Sequence, residues 1–352
     1  MSNASLLLSN MGLRPFFQQQ LSIDEPIEDH PVRVVGRQGD WLTLLDANSR
    51  SSTIKLPGKW HLRPQEEQPL IGDWLVVDQA GQPIRILDRI SSLARRSSGH
   101  GQHAQYMAAN IDTLFVVSSC NQDFNPSRIE RYLALAFEGR AQPVVILTKA
   151  DQTDEPEVYC REVEQLHGNI IAVSLDARSS AVSDQLAPWI GPGETVAFLG
   201  SSGVGKSTLI NSLFGREVQS TQPLREQDDK GRHTTTVRSM VQMQGGAWLI
   251  DTPGMRELRL GESGQGLREL FSDIEELAEQ CQFRDCDHEE TSGCAVLAAV
   301  QAGSIDPRRH RNYLKLQREQ GYLKESEWQQ RDRHRSFSKM VNHAKINKFG
   351  RR

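Results

Sequence analysis

The sequence predicts an α/β protein built on a buried parallel sheet, with a small β-rich module before it and a helical, cysteine-bearing region after it. Three observations carry this expectation. Near-continuous aliphatic runs at 111–117, 143–147, 170–173 and 195–199 alternate with helical stretches, the pattern of a sheet covered on both faces. Five short β-prone runs crowd the residues between 31 and 90, and three cysteines and a histidine cluster between 281 and 294. At 352 residues the chain exceeds the usual size of one domain.

Residues 1–30 mix Leu, Gln, Pro and acidic residues without sustained periodicity and read as an N-terminal arm. From 31 to 94, runs at 32–35, 41–45, 52–56, 73–77 and 84–87 are punctuated by Gly36, Gly39, Gly72 and Gly81. This spacing predicts an OB-like β-barrel, a fold that often binds nucleic acid. Lys55, Lys59, His61 and Arg63 near Trp60 offer a basic, aromatic face; a purely structural β-module is the alternative. Residues 95–106 are polar and rich in Gly and Ser, a linker. The α/β domain follows over 107–265, with helices expected at 126–139, 155–167 and 183–189. Residues 266–352 carry helical patterns at 295–302 and 309–320 and then a basic tail.

No apolar stretch approaches the roughly 20 residues that span a bilayer, and the first 20 residues do not read as a signal peptide. A cytoplasmic protein is expected. Five cysteines in a reducing compartment argue against a disulfide framework, and Cys120 reads as a small core residue. The net charge of −4 conceals an asymmetry: residues 305–352 hold fourteen Lys/Arg against five Asp/Glu, leaving −13 on the other 304. Such a tail is a footprint of phosphate-backbone contact or, alternatively, a solvated terminus.

The chemistry begins at Gly200, Ser201, Ser202, Gly203, Val204, Gly205, Lys206, Ser207 and Thr208, a G-x-x-x-x-G-K-S match between a strand run and a helix. In that context backbone N–H groups cradle phosphates, Lys206 reaches the β/γ oxygens and the Ser207 hydroxyl binds Mg²⁺. Thr148, Lys149 and Asp151 form T-K-x-D directly after another strand, at the sheet edge where α/β proteins bind ligands. A carboxylate there accepts both N1–H and N2–H₂ of guanine, a donor pair adenine lacks. Ser174, after the next strand, stands where it would help close a base pocket. Asp251 and Gly254 belong to D-T-P-G, spaced for Mg²⁺ and for sensing a γ-phosphate. The polar segment between these motifs contains His233 and Thr234–Thr235–Thr236, where a Mg²⁺-ligating threonine is expected; Thr235 is preferred and Thr234 leaves the register open. Together these motifs narrow the ligand to GTP/GDP with Mg²⁺.

Their order is unusual. The base motif precedes the phosphate loop, which is the signature of a circularly permuted P-loop GTPase domain, tolerable because domain termini commonly lie close together. Downstream, Cys281, Cys286, His288 and Cys294 fit C-x₄-C-x-H-x₅-C. Three thiolates and one imidazole make a closed tetrahedral zinc site, structural rather than catalytic.

With these residues assembled, the chain resembles the RsgA (YjeQ/YloQ) family of permuted, ribosome-associated GTPases over roughly residues 30 to 350, most specifically in Gly-Arg-His-Thr-Thr-Thr at 231–236 and in the zinc spacing. The resemblance implies an N-terminal OB-fold, late maturation of the small (30S) ribosomal subunit, contact with 16S rRNA and GTP hydrolysis stimulated by the subunit. It also implies a monomer that touches no membrane. The sequence departs from the family in Thr148, where Asn is commoner, and in Ser174-Leu175 for the usual Ser-Ala. Met255 follows Gly254 where many GTPases place a water-orienting Gln. A thioether cannot orient water, so slow intrinsic hydrolysis is expected, with His233 or a ribosomal group positioning water and Lys206 and Thr235 completing the catalytic set. A P-loop ATPase and a nucleic-acid-binding zinc protein with GTP as a structural ligand are the competing classes.

Overall fold

The computed structural model describes residues 3–21, 30–96, 104–216, 238–251 and 264–324. Helices α1 (Asn3–Asn10) and α2 (Pro15–Gln18) lead into strands β1 (His30–Gln38), β2 (Trp41–Leu45) and β3 (Ser51–Lys55), the short helix α3 (Gly58–His61), and strands β4 (Trp74–Val77) and β5 (Pro83–Ile86). All five strands expected in this module form. β1 is bulged between Val34 and Gly36; it pairs with β4 through its first half and with β2 through its second. Sharing one long strand between two halves lets the sheet wrap, as in an OB-like barrel, around Val34, Leu42, Leu44, Trp60, Leu75 and Val77.

The stretch expected as a linker is flanked by structure: β6 (Ser92–Arg96) and β7 (Ala104–Ala109) form an antiparallel pair, and residues 97–103 lie outside the described residues. Next come β8 (Thr113–Ser119), α4 (Pro126–Glu138), β9 (Gln142–Thr148), α5 (Pro156–Glu164), β10 (Ile171–Ser174) and α6 (Val182–Leu186). They are followed by β11 (Thr195–Leu199), α7 (Lys206–Phe214), β12 (Arg238–Gln242), β13 (Trp248–Asp251), α8 (Gln265–Leu270) and α9 (Ser272–Ala278). The sheet runs β10-β9-β8-β11-β13-β12, parallel except for β12. β8 is buried at every position, because helices cover both faces. The sheet does not end at β12. Gly36 and Arg37 of β1 pair with Ser239 and Arg238, so the β-module continues the sheet of the α/β region.

The arm is built into this assembly. Met11, Leu13 and Phe17 are buried, with Phe17 against Trp74 of β4. The Trp248 indole donates to the Asn10 carbonyl at 3.0 Å. Arg33 of β1 is fully buried and donates to the Met11 carbonyl and, at 2.6 Å, to Thr195 Oγ1, with its guanidinium over the Trp74 ring. Burial lowers its pKa to about 10, which leaves it charged at neutral pH. Arg14 meets Asp112 at 2.9 Å and Glu194 at 2.7 Å. The arm thus clamps β1 and β4 of the module to the N-terminal ends of β8, β11 and β13.

Residues 281–352 form a second unit, distinct from 1–280. Its described part holds α10 (Ala295–Gln301) and α11 (Pro307–Lys324), with Val296, Ile305, Tyr313 and Leu316 buried. No described helix is long and apolar enough to cross a membrane.

Burial pushes the Asp112 carboxyl up to about 6, against the opposing pull of Arg14 and the Thr195 N–H. The folded state therefore holds this proton more tightly than the unfolded chain. The associated stability is complete below about pH 4 and is lost as pH rises through 6. Asp112→Asn removes the titration, so the variant's stability relative to wild type should rise by about 2 kcal/mol between pH 4 and pH 7. Urea unfolding of both proteins at the two pH values reads this directly; an unchanged difference would refute it.

Candidate nucleotide site and metal cluster

Parallel register decides what gathers at the sheet's carboxyl edge. Val116 of β8 stands beside Leu199 of β11, and Ser119 beside Thr148 of β9. The loop after β11 and the T-K-x-D turn after β9 therefore leave the sheet on the same side, two strands apart. Gly200 has φ +155°, and a Cβ on it would collide with the Val117 carbonyl of the intervening strand. Gly205 has φ +92°, and its Cβ would stand 3.2 Å from Thr148 Oγ1. Only glycine satisfies both demands. Val204 is buried in the core between them, and α7 starts at Lys206 with Leu209, Ile210, Leu213 and Phe214 packed inward. Lys206 Nζ donates to the Gly200 carbonyl at 2.7 Å and to the Ser201 carbonyl. Ser207 and Thr208 are partly buried in the first turn of α7, and Ser202 and Gly203 are exposed on the loop.

Thr148 supplies the junction. It is fully buried, and Oγ1 lies 2.5 Å from the Val204 carbonyl and 3.1 Å from that of Ser118. A hydroxyl has one proton, so it donates to the nearer carbonyl, in the phosphate loop. This hydroxyl ties the T-K-x-D turn to the loop. Lys149 turns the chain with φ +59°, and Asp151 follows in a short 3₁₀ turn with its side chain about one-third exposed.

Arg178, which no motif flagged, donates to Asp151 Oδ2 at 2.8 Å and also contacts Asp176. Asp176 and then Asp151 hold the guanidinium pKa above its ordinary value. Ser174 ends β10 beside Leu147; burial raises the pKa of the Cys160 thiol on α5, and Ser174 partly opposes that shift. Burial pushes the Cys120 thiol up to about 12, as suits an inert core residue.

β13 runs parallel to β11 and brings the backbone of Asp251 toward the same edge. His233, Thr235 and Gly254 lie outside the described residues.

In the second unit the ligand atoms of Cys281, Cys286, His288 and Cys294 all lie within 4.8 Å of one another. Cys281 Sγ stands 3.6 Å from His288 Nδ1 and 3.8 Å from Cys294 Sγ, and Cys294 Sγ stands 3.5 Å from His288 Nδ1. A tetrahedral zinc with its usual bond lengths sets ligand separations of roughly 3.5–3.8 Å, so this donor set fits the ion. Cys294 also caps α10, its Sγ accepting from the Leu297 N–H, and the His310 ring contacts the His288 carbonyl at 3.0 Å.

The family model described as RsgA GTPase matches residues 86–261. The chain belongs to the RsgA GTPase family. Among similar proteins is "Small ribosomal subunit biogenesis GTPase RsgA 2" of Vibrio vulnificus, 42% identical over 99% of this chain and 97% of its own length. The Mesorhizobium japonicum "Small ribosomal subunit biogenesis GTPase RsgA" is 43% identical over 88% of each chain. The crystal structure of YjeQ from Thermotoga maritima aligns with a TM-score of 0.61 at 24% identity, covering 85% of this chain and all of that one. That of YloQ, described as a circularly permuted GTPase, aligns at 0.57 and 21%, covering 87% and 100%. These last two likenesses show the fold, and they agree with the permuted order of strands found here.

Thr148→Val keeps the shape of the side chain and removes its proton, leaving the buried Val204 carbonyl unpaired. The variant should lose about 1–3 kcal/mol of stability in denaturant unfolding, whereas a loss below about 0.5 kcal/mol would mean that the junction is dispensable.

Proposed function

We propose that this chain is a GTP-hydrolysing assembly factor of the small ribosomal subunit, acting in the cytoplasm on 16S rRNA-containing particles. The observation that supports the nucleotide half of this reading is the bond from Thr148 to Val204, which joins the T-K-x-D turn to the G-x-x-x-x-G-K-S loop. The partner half rests on the names of the relatives, biogenesis GTPases of the small subunit, and on the basic tail.

In this reading Asp151 takes the N1–H and N2–H₂ of guanine after exchanging its bond with Arg178, and Lys149 lays its stem beside the base. Ser174 belongs to the same pocket by its position at the end of β10. The backbone N–H groups of 200–208 hold the α- and β-phosphates, and Lys206 exchanges the carbonyls of Gly200 and Ser201 for phosphate oxygens. Ser207 and Thr235 are the residues that would hold Mg²⁺, with Asp251 behind them; the ion neutralises charge on the phosphates. Gly254 reads the γ-phosphate. His233 positions the attacking water once the subunit is bound, since Met255 has no group that can. One zinc on Cys281, Cys286, His288 and Cys294 fastens the second unit, and four protein ligands leave no position for substrate.

GTP turnover measured with and without purified 30S subunits tests the assignment. Turnover should be slow alone and at least tenfold faster with subunits, and the stimulation should fall as salt rises from about 50 to 200 mM. No turnover under either condition would favour GTP as a structural ligand, and displacement of bound GTP by ATP would favour an ATPase.

Purified protein should carry about one zinc per chain by elemental analysis, and Cys294→Ser should lose most of it and unfold at lower temperature. Zinc retained in that variant would overturn the ligand set.

A further inference from the structure

One cation at the phosphate loop belongs to none of the motifs. Arg128 lies in the first turn of α4, and its position there is fixed locally: Pro126 opens the helix, and the Arg128 N–H donates to Oδ1 of the capping Asn125 at 3.0 Å. α4 follows β8, the direct parallel neighbour of β11, so its beginning emerges beside the beginning of the loop. From there Arg128 Nη1 donates to Ser201 Oγ at 2.7 Å across a partly buried contact. Lys206 meets the same residue through the Ser201 carbonyl. Ser201 is thus held by two cations, one on its hydroxyl and one on its peptide.

The two cannot have the same role. Lys206 is the group that turns toward phosphate in a loop of this kind, and in doing so it releases Gly200 and Ser201. The bond from Arg128 does not involve the peptide and survives that exchange. A guanidinium keeps its charge at any physiological pH, and its planar fork holds direction better than an ammonium does. Its fixed positive charge beside the cradle also favours a polyanion within it.

We infer that Arg128 is a positioning residue of the nucleotide site: through the Ser201 hydroxyl it holds the phosphate loop in its binding shape, and it raises affinity for the phosphate chain without touching it. The inference rests on the guanine-nucleotide reading given above.

The test is a fluorescent-GDP titration of the full-length protein in Mg²⁺, comparing wild type with Arg128→Ala, Ser201→Ala, the double variant, Arg128→Lys and Asp151→Asn, with a thermal melt of each. Arg128→Ala and Ser201→Ala should each weaken binding about tenfold. The double variant should be about as weak as either single one, because both remove the same bond. Arg128→Lys, which keeps the charge and a donor, should regain part of the loss. Binding by Arg128→Ala within twofold of wild type would overturn the inference, as would single losses that multiply toward a hundredfold in the double variant. If Arg128→Ala melts early, Ser201→Ala and Arg128→Lys decide: unimpaired binding by the first, or no recovery in the second, sinks the proposal. Failure of the wild type to bind GDP, or undiminished binding by Asp151→Asn, would instead refute the underlying reading.

Discussion

A single buried hydroxyl fixes the relation between the T-K-x-D turn and the glycine loop, the two halves of the candidate nucleotide site. Thr148 stands at the end of β9 and Val204 in the loop after β11, with β8 between them, and the bond from one to the other spans that strand's end. It forms only because three strands run parallel and in step, so that a turn and a loop 56 residues apart in sequence reach the same edge. Space is the complementary constraint. Gly205 lies so close to Thr148 that a side chain would intrude, and Gly200 is pressed against β8. The order in which the chain visits these strands is immaterial to the site, which depends on adjacency alone. That is why a permuted connection leaves the arrangement of a P-loop GTPase intact.

The junction between the β-module and the α/β region has a different character. Arg33 is a buried cation whose Nε lacks a hydrogen-bond partner among the described residues, while its remaining nitrogens serve Met11 and Thr195. Burying such a charge is costly, and well-packed apolar replacements often match buried ionic groups in stability. What the arginine adds is direction. A guanidinium that reaches the arm, the module and β11 at once permits few alternative arrangements of the three, and Asp112, Arg14 and Glu194 extend the same polar seam.

Much of this was legible in the sequence wherever chemistry requires particular residues at fixed spacing. The phosphate loop, the Cys281–Cys294 cluster and the aliphatic strands were all of that kind. The five strands of the module were legible from turn residues at short intervals. β12 was not, because Arg-Ser-Met-Val-Gln is too short and too polar to stand out, and its second neighbour lies in the β-module. The docking of the arm was missed for a similar reason. Met11, Leu13 and Phe17 are separated by Gly12, Arg14 and Pro15 and follow no helical or strand period. Thr148 was read as a departure from Asn, since sequence names a donor but not the acceptor it meets. Arg178 and Arg128 carry no motif at all, and only the folded arrangement places them against Asp151 and Ser201.

β12 is a seam with a neighbour on each side: Met240 faces Ile250 of β13, while Arg238 and Ser239 face Arg37 and Gly36 of β1. Its first residue is joined covalently to the stretch that carries His233 and Thr235. The β-module therefore cannot separate from the α/β region without breaking backbone pairing along that strand.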